Sequence, residues 1–242
     1  MVKYEMPEGF KELQKYDTPT VTNAVGSYPN DKKCLAIYNA WKGRWYTDQT
    51  LKCMYPELGR RVGHVVTAVY GPVDHDAKSK YSLYDVLKAI EASPKPVILA
   101  IKQDFPDDMK GIDGLAGGMM MSSFKALGVE GVLSDGPSRD LDEVREFGIQ
   151  YMLTGVTPGH GDMEIKAINV PVSICGMDLM PGDIVHMDEN GACKFPFDRL
   201  DEVVESCRLF SESEGDKQKR ILQAETALEV ISILVGSAYG EK

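Results

Sequence analysis

The sequence predicts an α/β protein in which a mixed sheet, or two layered sheets, packs against helices. Two patterns lead to this fold class. Up to about residue 153, short apolar or β-branched runs alternate with helical segments, and after it three short strands precede a charged helical tail. No stretch is rich enough in proline or serine to be a linker. The 242 residues are therefore predicted to form a single domain, 1–242.

The first predicted elements are two helices and a strand. Residues 8–16 have helical spacing, and a second helix begins at Thr18, which can cap the first turn and is followed by a proline suited to the first helical position. This helix is expected to end near Gly26. Residues 28–59 show no clear period and are interpreted as an oligomer contact or an ordinary excursion of the chain. The β-branched run over 61–70 predicts a strand.

The alternation continues beyond the first strand. Ser82 opens a helix because an aspartate three residues later completes a capping box. Further elements follow from apolar runs bounded by glycine and proline turns. The predicted ranges are helix 82–90, strand 96–101, helix 119–127, strand 129–134, helix 140–147, strand 150–153, strands 171–175, 184–187 and 192–195, and one or two helices over 198–235.

Charge and cysteine usage narrow the functional classes. The formal net charge of −10 disfavours general binding to nucleic acids and to anionic membranes, since both carry negative charge. The five scattered cysteines form no CxxC motif, which favours reduced thiols in the cytoplasm. The first residues lack the apolar core of a signal peptide, and no window approaches 18 consecutive apolar residues.

Two segments combine into a candidate site for an anion and a metal ion. Gly117-Gly118 precede a helix, whose free backbone N–H groups and positive end can hold a carboxylate or a phosphate. Arg139-Asp140 follow a strand and a turn. Arginine offers a planar fork for a carboxylate or an enolate-like oxygen, and aspartate offers an oxygen ligand for Mg²⁺. From the spacing alone, the plainer interpretation, an ordinary loop with a surface cap and ion pair, is the more common one.

Other candidates are weaker. His160 lies in a glycine-rich segment that is more typical of a turn than of a catalytic base, and His75 lies between two aspartates in a hydrophilic stretch. Lys102 follows a buried strand, where a desolvated lysine can form a Schiff base. The Walker A, dinucleotide-binding and Gly-x-Ser-x-Gly motifs are absent from the sequence, so nucleotide-binding and serine-hydrolase functions have no support.

Several motifs together resemble one known family. The segment 16–24, YDTPTVTNA, is similar to the family's LDTPTVSDA opening. The run from Gly117 through 128–132 to Arg139-Asp140 is similar to its GG-x-L…DGxxRD core, and the segments around 154–158 and 169–191 are similar to its GxTP and NxPV…PGD elements. This family contains the regulator of ribonuclease E activity A and the 4-hydroxy-4-methyl-2-oxoglutarate aldolases. The resemblance covers about residues 16–220.

The resemblance implies a fold and an assembly. The family's fold is an α/β/β/α sandwich of the swivelling type, here with a core over about 16–197 and a helical extension over 198–242. The implied assembly is a homotrimer or homohexamer with the active site between subunits. The implied activity is a class II pyruvate aldolase that acts on a small 2-oxo acid and also decarboxylates oxaloacetate. The expected cofactor is Mg²⁺ or Mn²⁺.

The resemblance also implies roles for individual residues. Asp140 would hold the metal ion, and Arg139 would contact the 2-oxo acid and the developing pyruvate enolate. The backbone at Gly117, Gly118, Met119 and Met120 would bind the substrate carboxylate. Glu214 would reach the metal's water molecules in the adjacent subunit.

The sequence departs from the family pattern at Gly118, where aldolase members often carry an acidic residue. One outer contact to the metal is therefore expected to be missing. Four aspartates of the preceding loop are candidates to replace it: Asp104, Asp107, Asp108 and Asp113. The alternatives to an aldolase are a non-enzymatic regulatory protein that binds a ribonuclease, and a related metal-dependent enzyme acting on another sugar acid or 2-oxo acid.

Overall fold

The computed structural model describes residues 2–28, 32–39, 43–77 and 79–235. Trp41, in the predicted excursion 28–59, lies outside these ranges. The helices are α1 Glu8–Leu13, α2 Thr18–Val25, α3 Leu83–Ala92, α4 Gly118–Ala126, α5 Leu141–Glu146, α6 Leu200–Leu222 and α7 Ala227–Leu234. The strands are β1 Lys52–Cys53, β2 Arg61–Pro72, β3 Val97–Gln103, β4 Val129–Ser134, β5 Gln150–Leu153, β6 Met163–Ile168, β7 Val172–Ile174, β8 Met177–Leu179, β9 Ile184–Asp188 and β10 Gly191–Phe195.

A mixed sheet organises the chain. Its strand order is β1-β5-β4-β3-β2-β9-β10, and β6 also pairs with β2. Strands β2, β3, β4 and β5 run parallel, connected by α3, α4 and α5, whereas β1, β6, β9 and β10 are antiparallel to their neighbours. Since parallel strands end at the same edge, the loops that precede α4 and α5 meet at the carboxyl edge of this sheet.

The two faces of the sheet bury different partners. Val66 and Ala68 of β2 pack in one core with residues of α3, α4 and α5. The alternate residue Val65 belongs to an interior core shared with the two-stranded sheet β7-β8. A Cβ added at Gly131 of β4 would lie 2.0 Å from Cε of Met187 on β9, so two non-neighbouring parts of the sheet face each other. The predicted α/β/β/α arrangement is confirmed.

The terminal helices cover the other outer side. Phe10 of α1 and Val21 of α2 pack with Phe210 of α6 against β9 and β10. Buried His186 on β9 bonds to the carbonyl of Leu13 through Nε2 and to the hydroxyl of Thr18 through Nδ1, which ties α1 and α2 to the sheet. None of the helices described is long and apolar enough to cross a membrane.

The structure differs from the sequence prediction mainly in strand number. The alternation over Met163–Ile168 forms β6, a strand that the prediction missed although its pattern could have revealed it. The predicted strand 171–175 is shorter and forms a hairpin with the unpredicted β8. The charged tail divides into two helices because Thr226 caps a new one, accepting the N–H of Glu229. The proposed core limits, 16–197, stay a prediction.

Candidate functional site

A cavity of about 450 Å³ lies at the carboxyl edge of the parallel strands, where the N-terminus of α4 meets the turn before α5. It brings together the two segments that the sequence singled out. Its lining consists of Gly114, Leu115, Gly117, Gly118, Met119, Met120, Arg139, Asp140, Glu143, His160, Gly161, Asp162 and Met163. A second hollow, of about 390 Å³, lies between α6 and α7, is more open to solvent, and contains none of the predicted site residues.

Asp140 joins the two helix starts. It precedes α5 in the left-handed backbone conformation, with φ of 61°, which aspartate tolerates better than most residues. Its Oδ2 accepts the backbone N–H of Gly118 at 2.9 Å, and Nε of Arg139 lies 3.5 Å from the same oxygen. Both side chains are about one-third exposed, at 33% and 35%. The Asp140 carboxylate is therefore fixed on one side and open to the cavity on the other.

Two glycines lie directly against the side chains of the cavity. A Cβ added at Gly117 would lie 2.5 Å from Oδ2 of Asp140 and 2.9 Å from Nε of Arg139. A Cβ added at Gly118 would lie 2.2 Å from Oε2 of Glu143. Real Cβ atoms do not approach other atoms so closely. Thus Gly117-Gly118 do more than start a helix, because they leave room for two carboxylates and a guanidinium group.

The N-terminus of α4 faces the cavity with two free donors. The N–H of Gly118 is taken by Asp140, and the N–H of Met121 bonds to the carbonyl of Gly117. Within the described part of the chain, no hydrogen-bond acceptor is found for the N–H groups of Met119 and Met120. Together with the positive end of the helix, these donors suit a carboxylate.

A buried network holds the cavity walls together, and the sequence interpretation missed it. The Ser138 hydroxyl contacts both the carbonyl of Ala116 and the Tyr151 hydroxyl, and it accepts the N–H of Ala116 at 3.2 Å. Tyr151 also donates to the carbonyl of Ala116 at 2.8 Å. Burial raises the pKa of Tyr151 well above its ordinary value, so the phenol stays protonated. The loop before α4 is thereby fixed against the segment that carries Arg139.

The family model described as "RraA-like: Aldolase/RraA" matches residues 18–193. The chain belongs to the RraA-like family. A putative 4-hydroxy-4-methyl-2-oxoglutarate aldolase of Halalkalibacterium halodurans is 29% identical over 140 residues, which are 56% of this chain and 63% of that protein. An uncharacterized protein of Methanocaldococcus jannaschii is 30% identical over 118 residues, or 48% of this chain. The chain thus spans 63% and 57% of the lengths of these relatives.

Solved structures agree on the fold. Streptomyces coelicolor RraAS2, described as an unusual member of the RNase ES inhibitor RraA protein family, superposes with a TM-score of 0.67. The match covers 91% of this chain and all of that one, at 22% identity. At this identity the likeness concerns the fold alone. The description of the family model names both aldolases and RraA proteins, so membership of the family does not by itself assign an activity to this chain.

The remaining predicted residues divide into those near the cavity and those away from it. His160 lines the cavity, with its Nδ1 3.2 Å from the carbonyl of Gly161. Lys102 instead forms an ion pair with Asp135 and does not line the cavity, which leaves the Schiff-base hypothesis without geometric support. Burial raises the pKa of Asp135. His75 lies in an exposed loop outside the cavity lining.

Glu214 lies on the exposed part of α6 and does not line the cavity of its own chain. The resemblance assigns it to the site of an adjacent subunit, so its role stays a prediction.

The expected role of the loop aspartates as substitutes for an acidic side chain at position 118 gains no support from the cavity lining. None of the four expected candidates lines the cavity, and Oδ1 of Asp113 accepts the N–H of Gly161 at 2.6 Å. The carboxylate beside Gly118 is that of Glu143, in the first turn of α5. The sequence interpretation missed this residue because no local pattern connects it with a glycine 25 positions earlier.

The donor set fits a hydrated divalent cation. Among the described residues, no three histidine, cysteine, aspartate or glutamate side chains form a cluster that could enclose a metal ion. Mg²⁺ keeps several water molecules and is typically held by one or two carboxylates together with the substrate. The open Asp140 carboxylate with the neighbouring Glu143 provides that kind of site, whereas a thiolate- or imidazole-rich metal centre does not fit.

Proposed function

We propose that the cavity binds a small 2-oxo acid and cleaves its carbon–carbon bond with the help of Mg²⁺ or Mn²⁺, releasing pyruvate. Oxaloacetate decarboxylation follows from the same chemistry, since it also leaves pyruvate enolate. The observation that carries this proposal is the meeting of Arg139 and Asp140 with the free N–H groups of α4 in one cavity.

Each group has a distinct task in this proposal. The N–H groups of Met119 and Met120 bind the substrate carboxylate, and Arg139 donates to the oxygen that gains negative charge as the bond breaks. Asp140 would hold the metal ion, which supplies electron withdrawal from the 2-oxo group when bound. The Ser138–Tyr151 network positions these groups and keeps them from rearranging as charge develops.

An aldolase explains the cavity better than a regulatory role does. A protein that only inhibits a ribonuclease needs a docking surface, and it gains nothing from two glycines that clear space for Asp140, Arg139 and Glu143. We also propose the assembly that the resemblance implies, a trimer or hexamer, in which Glu214 would approach the cavity of a neighbouring subunit. A cytoplasmic location is part of the same proposal.

The test is pyruvate release from oxaloacetate and from 4-hydroxy-4-methyl-2-oxoglutarate, with Mg²⁺ or Mn²⁺ and again after EDTA. We expect release with the metal and none after EDTA. Arg139→Ala should lower kcat by about 10²–10³-fold, as the loss of one charge-stabilising donor typically does. Arg145→Ala is the matched control, because Arg145 pairs with Glu57 and Asp142 outside the cavity.

Two outcomes would contradict the proposal. Equal rates in Arg139→Ala and Arg145→Ala would show that the cavity is not where the bond breaks. A lack of release from both substrates, and from a wider panel of 2-oxo acids and sugar acids, with any divalent metal, would favour the regulatory function. Capture of a ribonuclease by the wild-type protein would then support that alternative.

A further inference from the structure

Glu143 is placed unusually for an exposed glutamate. It lies in the first turn of α5, yet its carboxylate reaches across to the N-terminus of α4. A Cβ added at Gly118 would lie 2.2 Å from Oε2 and 2.6 Å from Oε1 of Glu143, so the carboxylate covers the Cα of that glycine with both oxygens. It occupies the space in which a side chain at position 118 would lie.

No protein cation explains this placement. Within the described ranges, the Glu143 carboxylate has neither an ion pair nor a hydrogen bond. Arg145, on the same helix, pairs with Glu57 and Asp142, and Nε of Arg139 points to Asp140. The two carboxylates of Asp140 and Glu143 therefore border adjacent glycines in one cavity. Arg139 balances the charge of Asp140, whereas the charge that Glu143 brings to the cavity has no cationic partner among the described residues.

We propose that Glu143 positions the water shell of the divalent cation at Asp140, taking the place that a side chain at position 118 would otherwise fill. This inference rests on the proposed function, because it assigns a further residue to the same metal site. Glu143 is a positioning residue rather than a direct ligand. Outer-shell carboxylates fix the orientation of a metal's water molecules and typically contribute 10–100-fold to its affinity. Gly118 and Glu143 thus act together, because a side chain at position 118 would displace the Glu143 carboxylate from its place in the cavity.

The experiment measures Mn²⁺ binding to the full-length protein by electron paramagnetic resonance of the free ion, without substrate and independently of turnover. We expect Glu143→Gln to weaken Mn²⁺ binding at least tenfold. Glu146→Gln is the matched control, since it removes the same charge from the same helix at a residue that does not line the cavity. Its Mn²⁺ affinity should stay within twofold of wild type. Thermal unfolding of each variant verifies that the fold is retained.

A second variant tests the pair itself. Gly118→Ala introduces a Cβ where the Glu143 carboxylate lies, and it should weaken Mn²⁺ binding by a similar factor. The double variant Gly118→Ala/Glu143→Gln should bind no more weakly than either single variant, because both changes remove one interaction. Losses that multiply in the double variant would overturn the proposed coupling.

Asp140→Asn distinguishes failure of the inference about Glu143 from failure of the proposed function. If Asp140→Asn weakens Mn²⁺ binding while Glu143→Gln binds like wild type, the inference about Glu143 is wrong and the proposed function stands. If Asp140→Asn also binds like wild type, the cavity does not hold the metal and both proposals fail. Equal losses in Glu143→Gln and Glu146→Gln would show a general charge effect and would also overturn the inference.

Discussion

Asp140 has a structural role and a proposed chemical role, and two substitutions separate them. Asparagine keeps an oxygen that can accept the Gly118 N–H and tolerates the left-handed backbone, whereas alanine provides neither. Asp140→Asn should destabilise the protein by about 0.3–1 kcal/mol, the typical value of a charge near a helix N-terminus. Asp140→Ala also loses a hydrogen bond of about 1 kcal/mol. The left-handed backbone adds about 1 kcal/mol for alanine, giving a total of about 2–3 kcal/mol.

Urea unfolding measures the stabilities, and isothermal titration with Mn²⁺ measures the metal affinity. We expect the order of stability to be wild type, Asp140→Asn and then Asp140→Ala, while both variants lose Mn²⁺ binding to a similar extent because neither keeps the charge. Asn169→Ala is the control for backbone conformation alone, since Asn169 has φ of 51° away from the cavity. The reasoning is refuted if Asp140→Ala unfolds within 0.5 kcal/mol of wild type, or if Asp140→Asn binds Mn²⁺ normally.

Two further predictions concern the fold. Gly63→Ala would place a Cβ 2.8 Å from the backbone carbonyl oxygen of Pro96 and should lower the free energy of unfolding in urea by about 1–3 kcal/mol. Gly155→Ala is the control and should be neutral, because the space around Gly155 is open. Equal effects of the two substitutions would contradict this account of β2–β3 packing. Burial lowers the pKa of His186 in the folded protein. Below about pH 6.5 this histidine is therefore protonated in the unfolded chain but stays neutral in the folded one. The free energy of unfolding consequently decreases as the pH falls below about 6.5. Between pH 7.5 and 5.5, His186→Gln should lose about 1 kcal/mol less stability than wild type, and identical losses would show that this histidine does not contribute.

The sequence predicted the local elements well because their signals are local. The proline after Thr18 and the capping box at Ser82 mark two helix starts, and the β-branched run over 61–70 forms most of β2. The cap predicted at Thr18 was wrong by one residue, because Asp17 caps α2 by accepting the N–H of Thr20 at 2.9 Å. Errors occurred where pairing partners decide the outcome. Strand β6 carries a readable alternation, but its partner β2 lies far away in the sequence, and the three-residue β8 forms only through its hairpin with β7.

The candidate site shows the same division. The sequence by itself determined that Gly117-Gly118 start a helix and that Arg139-Asp140 follow a strand and a turn, because glycine, proline and charge patterns act over a few residues. Only the tertiary structure decided that these segments meet at one edge of the sheet, and that Glu143 covers Gly118. The physical reason is that parallel strand pairing brings the ends of β3 and β4 together, and helix packing then selects which side chains share the cavity.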